Sequence, residues 1–490
     1  MWRRIYMLLL AVRLYFSLAP SYIHPDEHFQ GPEVIAGHIF NWPTVRTWEF
    51  TVEAPIRSFF PLWLVYGFPM KFLDWVYPGA EPPEPIVIFY FLRTMFFLAS
   101  FVLEDWALQE LLATPRQRRI SLSLLASSYV TWTYQTHTFS NSVETIAVLW
   151  SLVLMERISK SKSWVFLSPA ALGFTVVFGV FNRITFPAFL ILPAYRVIPH
   201  FLRRPVSVLP LIVAAGLTAA LAISVDTFHY APTSTSPIIT PLNNLLYNSK
   251  TENLAHHGIH PYYTHLVANL PQLLGPALLL LRAPLSSPVL SAIGGVLTLS
   301  ALPHQEARFL LPVIPLLLTS VTLPQGLLRK RVWIASWMIF NAAYGTLQGI
   351  YHQAGIVPAQ TFLATTNVTD VLYWKTYNAP TWLLGPLSAR TNTTNLMGAP
   401  VSTLLSELAS KSNCTGEAYL AAPLSATKLD PLLDAPELPF RLEMAWNTRV
   451  HLNMDDLDFG EDGVVPTLQR VVGRRGLGVW RIRRRECEEV

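Results

Sequence analysis

The sequence is short of charge and nearly without cysteine. Only 14% of its 490 residues are Asp, Glu, Lys or Arg, whereas 51% are hydrophobic. Soluble domains carry roughly 25% charged residues, so this composition excludes an ordinary water-soluble chain. It also excludes disorder, collagen and coiled coil. Two cysteines, Cys414 and Cys487, are too few for a disulfide scaffold and lack metal-ligand spacing, so one bridge is the most they can form. The net charge of +5 is dispersed in short basic clusters between apolar segments instead of gathered on one face, which argues against a nucleic-acid surface. A small-residue cleavage site is also lacking after the first apolar run. Arg13 interrupts that run, which reads as an anchor and not as a removed leader.

Long apolar runs are what the chain has in place of charge. A membrane span needs about 20 such residues, and eleven are predicted, near 5–23, 86–103, 120–139, 144–158, 164–182, 184–199, 208–225, 265–281, 286–302, 307–323 and 332–351. Basic residues alternate across the intervening loops. Arg3 and Arg4, Arg116 to Arg119, Arg157 to Lys162, Arg196 to Arg204, Arg282 and Arg329 to Arg331 are cytosolic by the positive-inside rule. The opposite loops (24–85, 140–143, around 183, 226–264, 303–306 and everything after 352) are then lumenal. The three acceptors for N-linked glycans, Asn367, Asn392 and Asn413, all fall after the last span and on that same side. The expected organisation is a transmembrane domain over 1–351 and a small lumenal α+β domain over 352–490. The basic run Val479-Trp-Arg-Ile-Arg-Arg-Arg looks cytosolic and runs against this topology.

Four polar clusters sit at the lumenal rim. His24-Pro-Asp-Glu-His-Phe-Gln30 follows the first span, with Pro25 placed to open a helix and Asp26 and Glu27 in its first turn. The two acids either cap an interfacial helix or supply a general base. In the latter case one carboxylate faces substrate while the other is tied internally, with Gln30 three and four residues on from them. Glu49 and Arg57, beside Trp48, are spaced for a salt bridge or for a sugar or phosphate contact. The loop 226–264 carries Asn243 and Tyr247, then His256, His257, His260, Tyr262, Tyr263 and His265. Four histidines invite a metal, but Gly258 and Pro261 disfavour a helix and there is no HExxH pattern, so sugar stacking and headgroup packing are the expected uses. Last, His304, Glu306 and Arg308 stand at the mouth of a span, where the arginine either snorkels or binds an anionic phosphate through its planar fork. Arg93, inside the second span, reads as structural.

Taken in order, His24-Pro-Asp-Glu-His-Phe-Gln30, Thr47-Trp-Glu-Phe50 with Arg57-Ser58, Thr240-Pro-Leu-Asn243 with Tyr247-Asn248, Gly258-Ile-His-Pro261 and His304-Gln-Glu-Ala-Arg-Phe309 resemble the dolichyl-phosphate-mannose-dependent α-mannosyltransferases of the endoplasmic reticulum, of the GT-C superfamily. The resemblance covers residues 1 to about 350. Gln305, Ala307 and Leu246 depart from residues often found in that family. It implies an all-α polytopic fold with about 11 transmembrane helices, a long first lumenal loop with interfacial helices, and no cofactor or metal. It implies dolichyl-phosphate mannose as donor, and an endoplasmic-reticulum membrane location with a lumenal active site.

The His-Pro-Asp-Glu opening is most similar to members that add the fourth, α1,2-linked mannose to the glycosylphosphatidylinositol (GPI) precursor lipid. Addition of the third GPI mannose or of an N-glycan mannose is the nearest alternative, and a lipid or sugar transporter the alternative of another class. Under the resemblance Asp26 and Glu27 are catalytic, and Arg308 with His304 binds donor phosphate. His24, Gln30, Trp48, Glu49, Arg57, Asn243, Tyr247, His260, Tyr262 and Glu306 then contact substrate.

Overall fold

The computed structural model describes residues 2–487 except 80, 232–235, 251, 254–257, 283, 415–416, 434, 455–456 and 458. Helical segments dominate. Among the described residues two helical runs, Pro85–Leu111 and Pro205–Tyr230, are long and apolar enough to cross a membrane. Tyr129–Thr136 and Ser140–Lys160 make a third if the pair, bent by 110°, is one span. Elsewhere the predicted spans are shorter or broken. Over 184–207, Pro187, Pro193, Pro199 and Pro205 divide the chain into two short 3₁₀ turns, the helix Ile198–Arg203 and a third turn. Pro271 and Pro276 likewise interrupt 265–280. Each proline removes a backbone donor and clashes with the preceding turn. Such breaks persist at membrane depth only where neighbouring protein satisfies the freed groups.

The chain folds as two compact units, one formed by residues 1–17, 46–69 and 92–343, the other by 18–45, 70–91 and 344–490. In the first, the helix Leu167–Asn182 packs against Val208–Tyr230. A Cβ on Gly173 would lie 2.3 Å from the Leu211 carbonyl oxygen, so a small residue is required for the backbones to approach this closely, as is common between helices in lipid. Arg13, on the opening helix Trp2–Ser17, is buried and donates to Glu104 at 2.9 Å, both side chains being 1% exposed. Removing one member of a buried pair leaves the other uncompensated, at about 3–5 kcal/mol, whereas replacing both by apolar residues is often neutral. Arg13→Leu is therefore expected to lower the melting temperature of the detergent-solubilised protein, and Arg13→Leu with Glu104→Leu to recover most of the loss. A double variant no more stable than the single one would rule this out.

The second unit contains the α+β region. Strands β1 (Asp370–Trp374), β2 (Asn392–Met397), β3 (Ala418–Pro423), β4 (Phe440–Thr448) and β5 (Leu477–Arg484) form one sheet in the order β2-β1-β3-β5-β4. The β1 strand runs parallel to β2 and β3, while β5 is antiparallel to β3 and β4. Apolar clusters cover both faces, one including the helix Ile356–Leu363, the other Leu404 and Leu408 of the helix Val401–Lys411. Tyr22 is fully buried in the first cluster, which is why residues just after the opening helix belong here and the unit does not begin near 352.

The basic run that looked cytosolic is β5. Trp480 and Ile482 point into one apolar cluster, while Arg481 stands over Tyr419 and Arg483 pairs with Glu443 at 3.6 Å. Period-2 alternation thus accounts for arginines that hydropathy assigned to topology. Cys414 and Cys487, 73 residues apart, form a disulfide. Asn367 and Asn392 are exposed and Asn413 is half-buried beside β5.

Candidate active site

His24 to Gln30 folds as predicted at its start. A single helical turn, Asp26–Phe29, carries both acids first, and Gln30-Gly31 separates it from a second helix, Pro32–Phe40. The two carboxylates have different surroundings. Glu27 is fully buried and turns back to accept from the Ile23 amide at 2.7 Å. Asp26 stays partly exposed, accepts from the Gln30 side-chain amide at 2.5 Å and lies 3.5 Å from His24 Nδ1. His28 is buried between Tyr22, Phe89 and Trp382. One acid is therefore tied to the backbone and the other presented.

Glu33 was not legible as a special residue. It is fully buried in the helix Pro32–Phe40 and accepts from the Val45 amide at 3.2 Å, the Trp382 amide at 3.3 Å and the Thr381 hydroxyl. Burial pushes its carboxyl up to about 7 in spite of these donors. In the same unit, burial and the neighbouring His352 push His451 down to about 3. The two act oppositely on stability. The folded state holds the Glu33 proton that the unfolded chain releases near 4.5, so this contribution is complete below pH 4.5 and lost as pH rises through about 7. His451 contributes in the other sense, with stability gained as pH rises from about 3 towards 6.5. Glu33→Gln removes only the first effect, so across pH 4.5 to 7 the variant should gain on wild type by about 3 kcal/mol. Melting temperatures taken across that range check it, and parallel curves would refute it.

The other predicted residues lie in the first unit, in two groups. In one, Glu49 Oε1 accepts from Arg57 Nε at 2.9 Å and Nη2 at 2.8 Å. Trp48 and Tyr247 bring their rings to 4.8 Å, and Asn243 donates to the Pro55 carbonyl at 3.0 Å. Asp226, in the last turn of the helix Val208–Tyr230, fixes this group. Its carboxylate accepts from the Ser58 hydroxyl at 2.9 Å, the Phe59 amide at 2.7 Å and the Thr240 hydroxyl at 2.7 Å. The Thr47–Ser58 and Thr240–Asn248 motifs are thereby joined, a role that sequence reading did not give Asp226.

In the other group, Glu306 links two cations, accepting from His304 Nε2 at 2.8 Å and from Arg308 Nε. The bond to Glu306 holds the His304 imidazole above its ordinary range. His260 lies against His304 with ring centroids 5.9 Å apart and receives the Gln305 amide. The departure Gln305 is buried, binding the His265 amide and the Ser300 and Leu302 carbonyls, so it serves the loop's backbone. Tyr262 is 76% exposed against Tyr263, outside this group. His256 and His257 lie outside the described residues. Among those described, no three His, Cys, Asp or Glu side chains are grouped to hold a metal ion.

Two further residues connect these groups. Arg183 forms an ion pair with the fully buried Glu144, Nε lying 3.1 Å from a carboxylate oxygen, and its guanidinium carbon lies 5.1 Å from the Phe309 ring centroid. Arg308 lies over the same ring at 5.4 Å, and Glu144 also feels the charge of Arg57. Both residues stand at the edge of a predicted span.

A helical membrane protein with acids and paired arginines at its span ends is the class to which fold and site point. Residues 4–386 match the Alg9-like mannosyltransferase family, and the chain belongs to that family. It is a glycosyltransferase. Among named relatives it is 47% identical to GPI mannosyltransferase 4 of Aspergillus oryzae over 99% of this chain and all of that protein. It is 45% identical to that of Emericella nidulans over the whole of both. It is 40% identical to that of Saccharomyces cerevisiae over 77% of this chain and 75% of that one. Among solved structures it resembles ArnT from Cupriavidus metallidurans bound to undecaprenyl phosphate. The TM-score is 0.50 and the identity 12%, over 90% of this chain and 96% of that one. The latter likeness is one of fold.

Proposed function

We propose that this protein transfers mannose from dolichyl-phosphate mannose to the third mannose of the GPI precursor, forming an α1,2 linkage on the lumenal side of the endoplasmic-reticulum membrane. The reaction is a single displacement with inversion. The acceptor's 2-hydroxyl oxygen bonds to the anomeric carbon as the bond to the phosphate oxygen breaks, and dolichyl phosphate leaves with the electron pair. Asp26 takes the hydroxyl proton. Glu27, committed to the Ile23 amide, orients the turn that carries it. Arg308 and His304 receive the charge that develops on the phosphate, where preorganised cationic donors are most effective. The partly exposed Trp48–Tyr247 pair offers a stacking surface for a sugar ring. No metal takes part in this reading.

The observation that carries it is the division between adjacent carboxylates, one buried on a backbone amide and one partly exposed. A purely structural cap would need only the first. Membership of a mannosyltransferase family and full-length similarity to proteins named GPI mannosyltransferase 4 support donor and acceptor. The test is transfer of labelled mannose from dolichyl-phosphate mannose to a three-mannose GPI precursor in microsomes. The expected product is a four-mannose lipid sensitive to α1,2-mannosidase. Labelling of a two-mannose GPI or of a dolichol-linked glycan instead would overturn the acceptor, and no labelling at all would overturn the reaction.

A further inference from the structure

We propose that Arg183 is a second arginine contact for the departing lipid phosphate, working beside Arg308; the inference rests on the function proposed above. The two guanidinium carbons share one aromatic ring, 5.1 and 5.4 Å from the Phe309 centroid. Like charges so placed, largely out of water, repel one another. The ring face offsets part of that repulsion, and each arginine has its own glutamate, Glu144 for Arg183 and Glu306 for Arg308. His304 shares Glu306. With its imidazole protonated, the cluster of Arg183, Arg308, His304, Glu144 and Glu306 carries one surplus positive charge, equal and opposite to that of a phosphodiester.

The geometry also separates holding from binding. Arg183 Nε is turned to Glu144, and Nη1 to the Ser140 hydroxyl at 3.2 Å and the Asn141 side-chain oxygen at 3.4 Å. A guanidinium has five N–H donors in a rigid plane, so these contacts fix the plane from one side while it spans Phe309. Arg308 reaches the ring from the segment Ala307–Leu310, and Arg183 from the end of the helix Leu167–Asn182. A plain structural clamp between Leu167–Asn182 and Ser140–Lys160 would use the same Glu144 pair. It would have no reason to bring a second arginine to that ring.

The test uses the purified full-length protein in lipid nanodiscs, with dolichyl phosphate as product inhibitor. Arg183→Lys keeps the charge but loses the planar fork. It is expected to raise the inhibition constant for dolichyl phosphate at least about tenfold and to lower kcat, leaving the acceptor KM unchanged. Arg183→Ala should regain part of its turnover when guanidinium is added. An inhibition constant equal to wild type in a folded Arg183→Lys protein would overturn the inference, as would a loss of activity that merely follows a lower melting temperature. If the wild-type protein consumes no dolichyl-phosphate mannose, the proposed reaction itself fails and takes this inference with it.

Discussion

Asp26→Asn is expected to lower kcat for mannose transfer by about 10²- to 10⁴-fold, the usual contribution of a positioned proton acceptor. The substitution is nearly isosteric. Its side-chain oxygen can still accept from the Gln30 amide, which meets Asp26 at 2.5 Å, and the turn Asp26–Phe29 loses no backbone bond. The acceptor KM should therefore change little. Glu27→Gln provides the contrast, because its oxygen can still accept from the Ile23 amide, and it should keep most of its turnover. Steady-state rates at equal protein abundance decide the matter. Near-normal turnover in Asp26→Asn would remove Asp26 as the base, and a greater loss in Glu27→Gln would exchange the two roles.

Arg308→Gln should cost about 10²- to 10³-fold in kcat, the size of effect seen when one preorganised donor to a developing oxyanion is removed. Two consequences add together. The leaving phosphate loses a cation, and Glu306 loses its pairing with Arg308 while that with His304 stays. Arg308→Lys should recover part of the rate through its charge but not all of it, since an ammonium cannot present two parallel donors. Rate constants for the two variants at saturating acceptor measure the difference. Equal rates for wild type and Arg308→Gln would show that the arginine serves only the membrane interface.

The legible part of this molecule was local. Spacing three and four in the Asp26–Gln30 segment foretold a shared helical face, and the Asp26–Gln30 bond lies on it. The separation of eight positions from Glu49 to Arg57 suggested their pairing, which is present. Proline positions explain why several apolar runs are not continuous helices. The tail was legible as an α+β region, but its strand order was not.

Hydropathy, charge alternation and short motifs determined the membrane character, the position of the polar clusters and the family, because each depends on residues close together in the chain. Tertiary structure alone decided the partners. Arg13 meets Glu104 across 91 residues, Asp226 meets Ser58 across 168, and Glu33 meets Thr381 across 348. Periodicity carries no information about such pairs. They form because a charge taken out of water must find a compensating group wherever packing brings one within reach. The same requirement set the division of labour between Asp26 and Glu27. Adjacent in sequence and alike in chemistry, they differ because the fold buries one against a backbone amide and leaves the other partly exposed.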